Sequence, residues 1–225
     1  MTMRKHINAE FDVELRWLKD QILAMGSLVD RQVGEAVAAL VERDPQRAKR
    51  VVEADRAVNQ IELAIDEQCI RVLALQQPEA SDLRFIAAAL KMVTDLERIG
   101  DLAVNMAERV PGLCEEPALR LVEELPEMAA AAQRMLRDVL EAFVSGDPVK
   151  AEAVIAADPA IDAWMVRIFD EVQSVMVQDP STVARGLATI FFAKHVERMA
   201  DHATNIAEMV IYLVRGQDVR HAKST

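Results

Sequence analysis

The chain reads as an all-α protein made of two tandem, pseudo-symmetric three-helix bundles, and three observations predict this. A sixteen-residue stretch occurs twice: DLERIGDLAVNMAERV at 95–110 and HVERMADHATNIAEMV at 195–210, an offset of 100. Apolar residues make up 52% of the chain but aromatic ones only 4%, with 7 Gly and 8 Pro among 225 residues. Rich in Ala, Leu, Val and Met, such a composition favours helix over sheet. Finally, apolar residues recur at spacings of three and four through long segments, the period of helices that pack along one face.

The elements follow in order. Phe11, Leu15, Leu18, Ile22, Met25, Val29, Val33, Ala36 and Leu40 mark the seam of a first helix over about 11–41. Asp44-Pro45 is a helix start, with Asp as N-cap and Pro in the first helical position. Val58, Ile61, Ile65, Cys69 and Val72 share a face of the next segment, which ends near Gln77-Pro78. A third helix spans about 81–110 and closes at Pro111-Gly112, followed by a linker, PGLCEEP, at 111–117. A fourth covers about 118–144, bent or delayed by Pro126. Asp147-Pro148 repeats Asp44-Pro45 at an offset of 103, and Asp158 repeats Asp55. By the same repeat, Asp158 before Pro159 and Asp55 read as further N-caps, leaving short helices at 45–53 and 148–156, with a metal-ligand role for the two aspartates as the alternative to capping. A sixth helix runs over about 182–215 and stops at Gly216. The fall in offset from 103 to 100 places about three extra residues in the 77–84 turn of the first half. The two units are 1–112 and 113–225.

The duplicated stretch carries the chemistry. Eight of its sixteen positions are identical, and five of those are polar: Glu97/Glu197, Arg98/Arg198, Asp101/Asp201, Asn105/Asn205 and Glu108/Glu208. Packing explains repeated apolar positions but not repeated carboxylates and amides. On a helical wheel with Glu97 at zero, Asp101 lies near ~40°, Asn105 near ~80° and Glu108 near ~20°, one narrow stripe opposite an apolar face. Like charges one turn apart cost a helix roughly 0.2–0.5 kcal/mol per pair, and a bound cation reverses that sign. Carboxylate oxygens without thiolates suit hard or borderline ions such as Mg, Mn, Ca or Fe. Glu97, Asp101, Glu197 and Asp201 are therefore candidate metal ligands, with Asn105, Glu108, Asn205 and Glu208 as outer or bridging ones. The competing reading is a solvated acidic face in which Arg98 and Arg198, three residues before Asp101 and Asp201, supply local ion pairs. His195 and His202 share one face but stand where the first copy has Asp95 and Leu102, so they are weaker candidates.

Other classes are disfavoured. A net charge of −11 does not suit a nucleic-acid partner. No apolar run reaches the roughly 18 residues of a membrane span, and the N-terminus has no signal-like apolar core. Cys69 and Cys114 are isolated, which points to a reducing cytoplasm. There is no phosphate-cradling glycine loop and no nucleophile–base arrangement. A carboxylate-bridged di-iron enzyme needs Glu-x-x-His pairs on inward faces, which neither copy has.

The motif LERIGD at 96–101 and its second copy VERMAD at 196–201 resemble the paired E(D)xxxD motif of the PhoU family, with Val196 and Ala200 in place of the commoner Leu and Gly. PEASDLRFIAAALK at 78–91 and DHATNIAE at 201–208 are also similar to that family's pattern. The resemblance implies two similar three-helix bundles and a cytoplasmic negative regulator of phosphate uptake and phosphate-starvation signalling. It implies an adaptor, not an enzyme, acting between the phosphate ABC transporter and a phosphate-sensing histidine kinase, peripheral to the membrane through those partners, and a homodimer. It also implies multinuclear clusters of Fe, Mn, Mg or Zn on the carboxylate motifs. A carboxylate-bridged metal enzyme and a plain metal-binding helical scaffold are the alternatives.

Overall fold

The computed structural model describes residues 9–76, 78–115, 117, 119 and 124–219. Six long helices account for nearly all of them: α1 (Ala9–Val41), α2 (Pro45–Leu75), α3 (Ala80–Cys114), α4 (Glu124–Ser145), α5 (Pro148–Gln178) and α6 (Val183–Arg215). A short 3-10 turn, Pro180–Thr182, leads into α6. The helices α1–α3 form one bundle and α4–α6 the other, as the repeat requires.

Local chemistry sets the boundaries. The Asp44 carboxylate accepts from the Gln46 and Arg47 amides at 2.9 and 3.0 Å, with Pro45 in the first turn. Asp147 does the same for Val149 and Lys150 at 2.9 and 3.2 Å. Just before these caps, Gly146 ends α4 with φ 64, and its counterpart ending α1 is Arg43 with φ 56. In both, the following Asp amide reaches back to close the helix end, to Ala39 O and to Ala142 O. The three extra residues lie where the offset placed them: four residues separate α2 from α3, and one, Asp179, separates α5 from the 3-10 turn.

Three expectations are corrected. The duplicated aspartates Asp55 and Asp158 cap nothing, because α2 and α5 run unbroken through them. Pro159 removes one backbone bond from α5, but continuity keeps Ala151, Val154, Ile161, Ile168 and Val172 on one buried face. Likewise α3 does not close at Pro111-Gly112. It continues to Cys114, and Leu113 adds to the face that Val110 buries. The connection between bundles therefore lies between Cys114 and Glu124. The expected start of α4 near 118 falls partly outside the described residues; the helix is described from Glu124, with Pro126 in its first turn.

The helices α2, α3, α6 and α5 lie side by side in that order; α1 backs α2 and α3, α4 backs α5 and α6, and α1 touches α4. Leu15, Leu18, Ile22, Met25, Ile65, Ile86, Met92, Leu96, Ile99, Met106, Leu125 and Phe192 are wholly enclosed, each stabilising the fold by roughly 1.5–3 kcal/mol. The helices α3 and α6 cross antiparallel near their duplicated motifs: Asp95 meets Asn205, and Arg109 meets His195. At the α1–α4 seam, Gly26 leaves room for Leu140, whose Cδ1 would stand 2.6 Å from a Cβ there. Gln133 and Arg137 of α4 bind Asp30 one turn further along α1. Among the described residues no helix is long and apolar enough to cross a membrane.

Candidate functional site

In the first half, Glu97 and Asp101 project from α3 toward α2, whose Asp55, Asn59 and Glu62 form the facing wall. Burial, and next the charge of Asp101, push the Glu97 carboxyl up to about 6. Burial likewise raises Asp55, with Asp101 adding to it and the amides of Asn59 and Gln32 opposing it. Glu62 is raised by burial first and by Asp66 second. Asn59 donates to Asp55 Oδ2 at 2.9 Å, while Asp55 Oδ1 is buried without a partner. Arg98 spans the rim, 3.4 Å from Glu97 and 3.2 Å from Asp101. This is the local ion pair expected of a solvated face, but Glu97 itself retains only 16% of its side-chain exposure. Gly100 lies where the three helices meet: a Cβ there would stand at ordinary contact distance, 3.4 Å from Val58, 3.5 Å from Gln32 Oε1 and 3.6 Å from Asp55 Oδ1.

The second half builds the same groove from α5 and α6. Asp158 faces Glu197 and Asp201, and Asp162, one turn after Asp158, replaces Asn59. Burial, then Asp162, Asp201 and Glu197 in that order, push Asp158 up to about 6. Asp201 is raised by burial first and by Glu197 second. Lys194 donates to Glu197 Oε1 at 2.6 Å, leaving Oε2 buried and unpartnered. The local pair expected between Arg198 and Asp201 does not form among the described residues; Lys194 on Glu197 takes its place.

The outer residues disperse. Asn105 and Glu108 are exposed. Asn205 turns away from Asp201 and donates to Asp95 of α3 at 3.1 Å. Glu208 lines an open groove of about 510 Å³ between α3 and α6, with Lys91, Thr94, Asp95 and Asn205. The two histidines belong to the seam between halves. His202 Nδ1 lies 2.8 Å from Asp95 Oδ1. Arg109 donates to His195 Nε2 at 3.4 Å, and burial, then Arg109 and Arg198, hold that imidazole down at about 4. Arg109 also lies over the Phe191 ring, 4.7 Å from its centre. Both cysteines are free, and burial pushes Cys69 up to about 12.

Sequence reasoning missed Glu62, Asp162 and Gln32, and for Asp55 and Asp158 it favoured capping, which the unbroken α2 and α5 overturn, over the ligand role it also considered. The available signal was spacing: Asp55, Asn59 and Glu62 at i, i+4 and i+7, and Asp158 with Asp162 at i, i+4, each describe one face of an unbroken helix.

Each groove thus gathers four carboxylates, Asp55, Glu62, Glu97 and Asp101 in the first, all half-buried, and Asp158, Asp162, Glu197 and Asp201 in the second, where Asp162 and Asp201 are exposed. The raised proton affinities of Asp55, Glu62, Glu97, Asp158 and Asp201 record lost hydration first and repulsion by neighbouring carboxylates second, which a cation would relieve. The donor set is oxygen alone, fitting hard or borderline metal ions, and Asp55 and Glu197 each keep a buried oxygen free. As the side chains stand, no three carboxylate, imidazole or thiol groups among the described residues close around one point. Among the described residues no nucleophile–base pair accompanies the clusters.

The PhoU domain model matches this chain twice, at residues 22–110 and 125–210, one match in each bundle. A Pseudomonas putida protein named as a phosphate-specific transport system accessory protein PhoU homolog is 44% identical over 221 residues, covering 98% of this chain and 86% of that protein. The Escherichia coli K12 phosphate-specific transport system accessory protein PhoU is 35% identical, covering 98% of this chain and 92% of its own length. The crystal structure of PhoU from Pseudomonas aeruginosa superposes with a TM-score of 0.89 at 42% identity, covering 92% of this chain and all of that one. With both halves matched separately and the fold shared throughout, the chain belongs to the PhoU family.

Proposed function

We propose that this protein is an accessory component of a phosphate-specific transport system and a negative regulator of phosphate uptake and phosphate-starvation signalling. It acts in the cytoplasm as an adaptor, not an enzyme, between the phosphate ABC transporter and a sensor histidine kinase, and it works as a homodimer. The observation that carries this reading is the family match in both halves, joined to 44% identity across 98% of the chain with a protein bearing that transport-accessory name. Exposed apolar residues support a role in protein contact: Val183, Leu187 and Phe191 follow one another at successive turns of α6.

The two carboxylate grooves are where this protein would hold metal. Asp55, Glu62, Glu97 and Asp101 are the donors in the first half, and Asp158, Asp162, Glu197 and Asp201 in the second. A bound cation would supply the positive charge each groove lacks. The chain's own residues place these donors on neighbouring helices, so that occupancy ties α2 to α3 and α5 to α6. Arg98 and Lys194 neutralise the rims from outside.

Affinity capture of the full chain from phosphate-replete cells tests the adaptor role. Transporter and kinase components are expected together in the captured fraction; recovery of neither overturns it.

A further inference from the structure

The first groove contains a group that the second lacks. Gln32, on α1, is only 4% exposed, and neither its amide oxygen nor its amide nitrogen makes a hydrogen bond of proper length and angle, although the amide lies close enough to Asp55 to oppose the rise of that carboxyl. A buried primary amide left unpaired is costly, and such groups in folded proteins are nearly always satisfied. Its surroundings are not purely apolar. Oε1 of Gln32 and Oδ1 of Asp55 lie 3.5 and 3.6 Å from the point where a Cβ on Gly100 would stand. Amide and carboxylate therefore meet at one spot on α3, a single residue before Asp101, and that Asp55 oxygen is itself buried and unpartnered. At the matching position of the second half, 103 residues on, stands Met135, equally enclosed but with a thioether.

We propose that the Gln32 amide carbonyl is a neutral oxygen ligand to the divalent cation of the first carboxylate groove, making that groove the tighter of the two for hard ions. The proposal rests on the metal reading of the grooves given above. Its chemistry suits the position. Four carboxylates already repel one another there, so an additional donor that brings no charge fills coordination without adding to the repulsion. Amide carbonyls are ordinary ligands for hard cations, whereas a thioether is a soft and poor one.

The test is titration of metal-free full-length protein with Mn²⁺, by calorimetry and by the loss of the free-ion paramagnetic resonance signal. Wild type should show two classes of site. Glu97→Gln/Asp101→Asn should abolish the tighter class and so assign it to the first half. Gln32→Met and Gln32→Leu should weaken that class about 10-fold or more and leave the other unchanged. Gln32→Glu, which keeps an oxygen at the position, should bind at least as tightly as wild type. Thermal melts without metal separate this from a structural role. The apolar variants should melt at or above the wild-type temperature, since each removes an unpaired buried amide. A lower metal-free melting temperature with unchanged Mn²⁺ affinity would make Gln32 a structural residue and overturn the proposal while the metal reading stands. Absence of Mn²⁺ binding by wild type would overturn both.

Discussion

The two bundles make the same groove with different materials. Asp55/Asp158, Glu97/Glu197 and Asp101/Asp201 occupy matching places, but what surrounds them does not match. The fourth carboxylate is Glu62 in one half and Asp162, at the place of Asn59, in the other. The rim cation is Arg98 on one side and Lys194 on the other. Gln32 and Gly100 give way to Met135 and Ala200. Even the end of the first helix differs, Arg43 holding a left-handed backbone that Gly146 adopts freely. The lesson is that a charge arrangement set by helix pairing tolerates exchange of nearly everything beside it.

This comparison can be broken at several depths. The largest effect should come from the core beneath the motifs, where Phe192 stands in the place of Met92 and both are wholly enclosed. Phe192→Ala should cost about 3–5 kcal/mol and Met92→Ala about 2–5 kcal/mol, read from urea denaturation. If Phe192→Ala costs under about 1 kcal/mol, its packing has been misjudged. A smaller effect tests the seam. His202→Leu installs the residue of the first copy and removes the bond to Asp95. It should cost about 1–2 kcal/mol by the same measurement, because Asp95 keeps only Asn205.

The smallest effect concerns protons. Glu97 holds its proton in the folded state up to about 6, above the ordinary value of 4.5. The folded protein therefore binds more protons than the unfolded chain between those values. Stability from this group is present in acid and is lost as pH rises through about 6. In metal-free protein, Glu97→Gln should match wild type near pH ~4 and exceed it by about 1 kcal/mol near pH ~7. Asp158→Asn should act in the same direction. Urea midpoints at the two pH values, with chelator present, check the sign. A variant that falls below wild type at neutral pH would mean that the carboxylate is held by partners it favours, not by burial it resists.

Much of the fold was legible in the sequence because its signals are local and repeated. The Asp-Pro caps, the spacing of α1 and the stop at Gly216 each follow from a few neighbouring residues, and the change of offset located the shorter turn. The groove was half legible. The α3 and α6 ladders stand out because the duplication keeps their polar residues in register. The opposing walls do not, since Glu62 and Asp162 fall at non-equivalent positions and their meaning arises only when α2 lies against α3 and α5 against α6. The breaker signals at Pro111 and Pro159 were outweighed by burial along a continuous face, which no local rule contains. His195 and His202 were discounted because they lack counterparts, yet that asymmetry is what lets one half grip the other, His202 on Asp95 and His195 under Arg109. Asn205 was drawn into the ladder by its wheel angle, but it sits far enough round the helix to reach Asp95.

Pro159 gives the second groove a property that the first does not have. With no amide at 159, the Ile155 carbonyl lacks its helical partner, in the very turn that carries Asp158, whereas α2 has Arg56 there and an unbroken ladder. That turn of α5 is therefore held by one backbone hydrogen bond fewer than its counterpart in α2. One acidic wall is mounted on a turn that lacks a backbone bond, and the other on an unbroken ladder. An ion held between α5 and α6 would then sit against a less firmly braced wall than one held between α2 and α3.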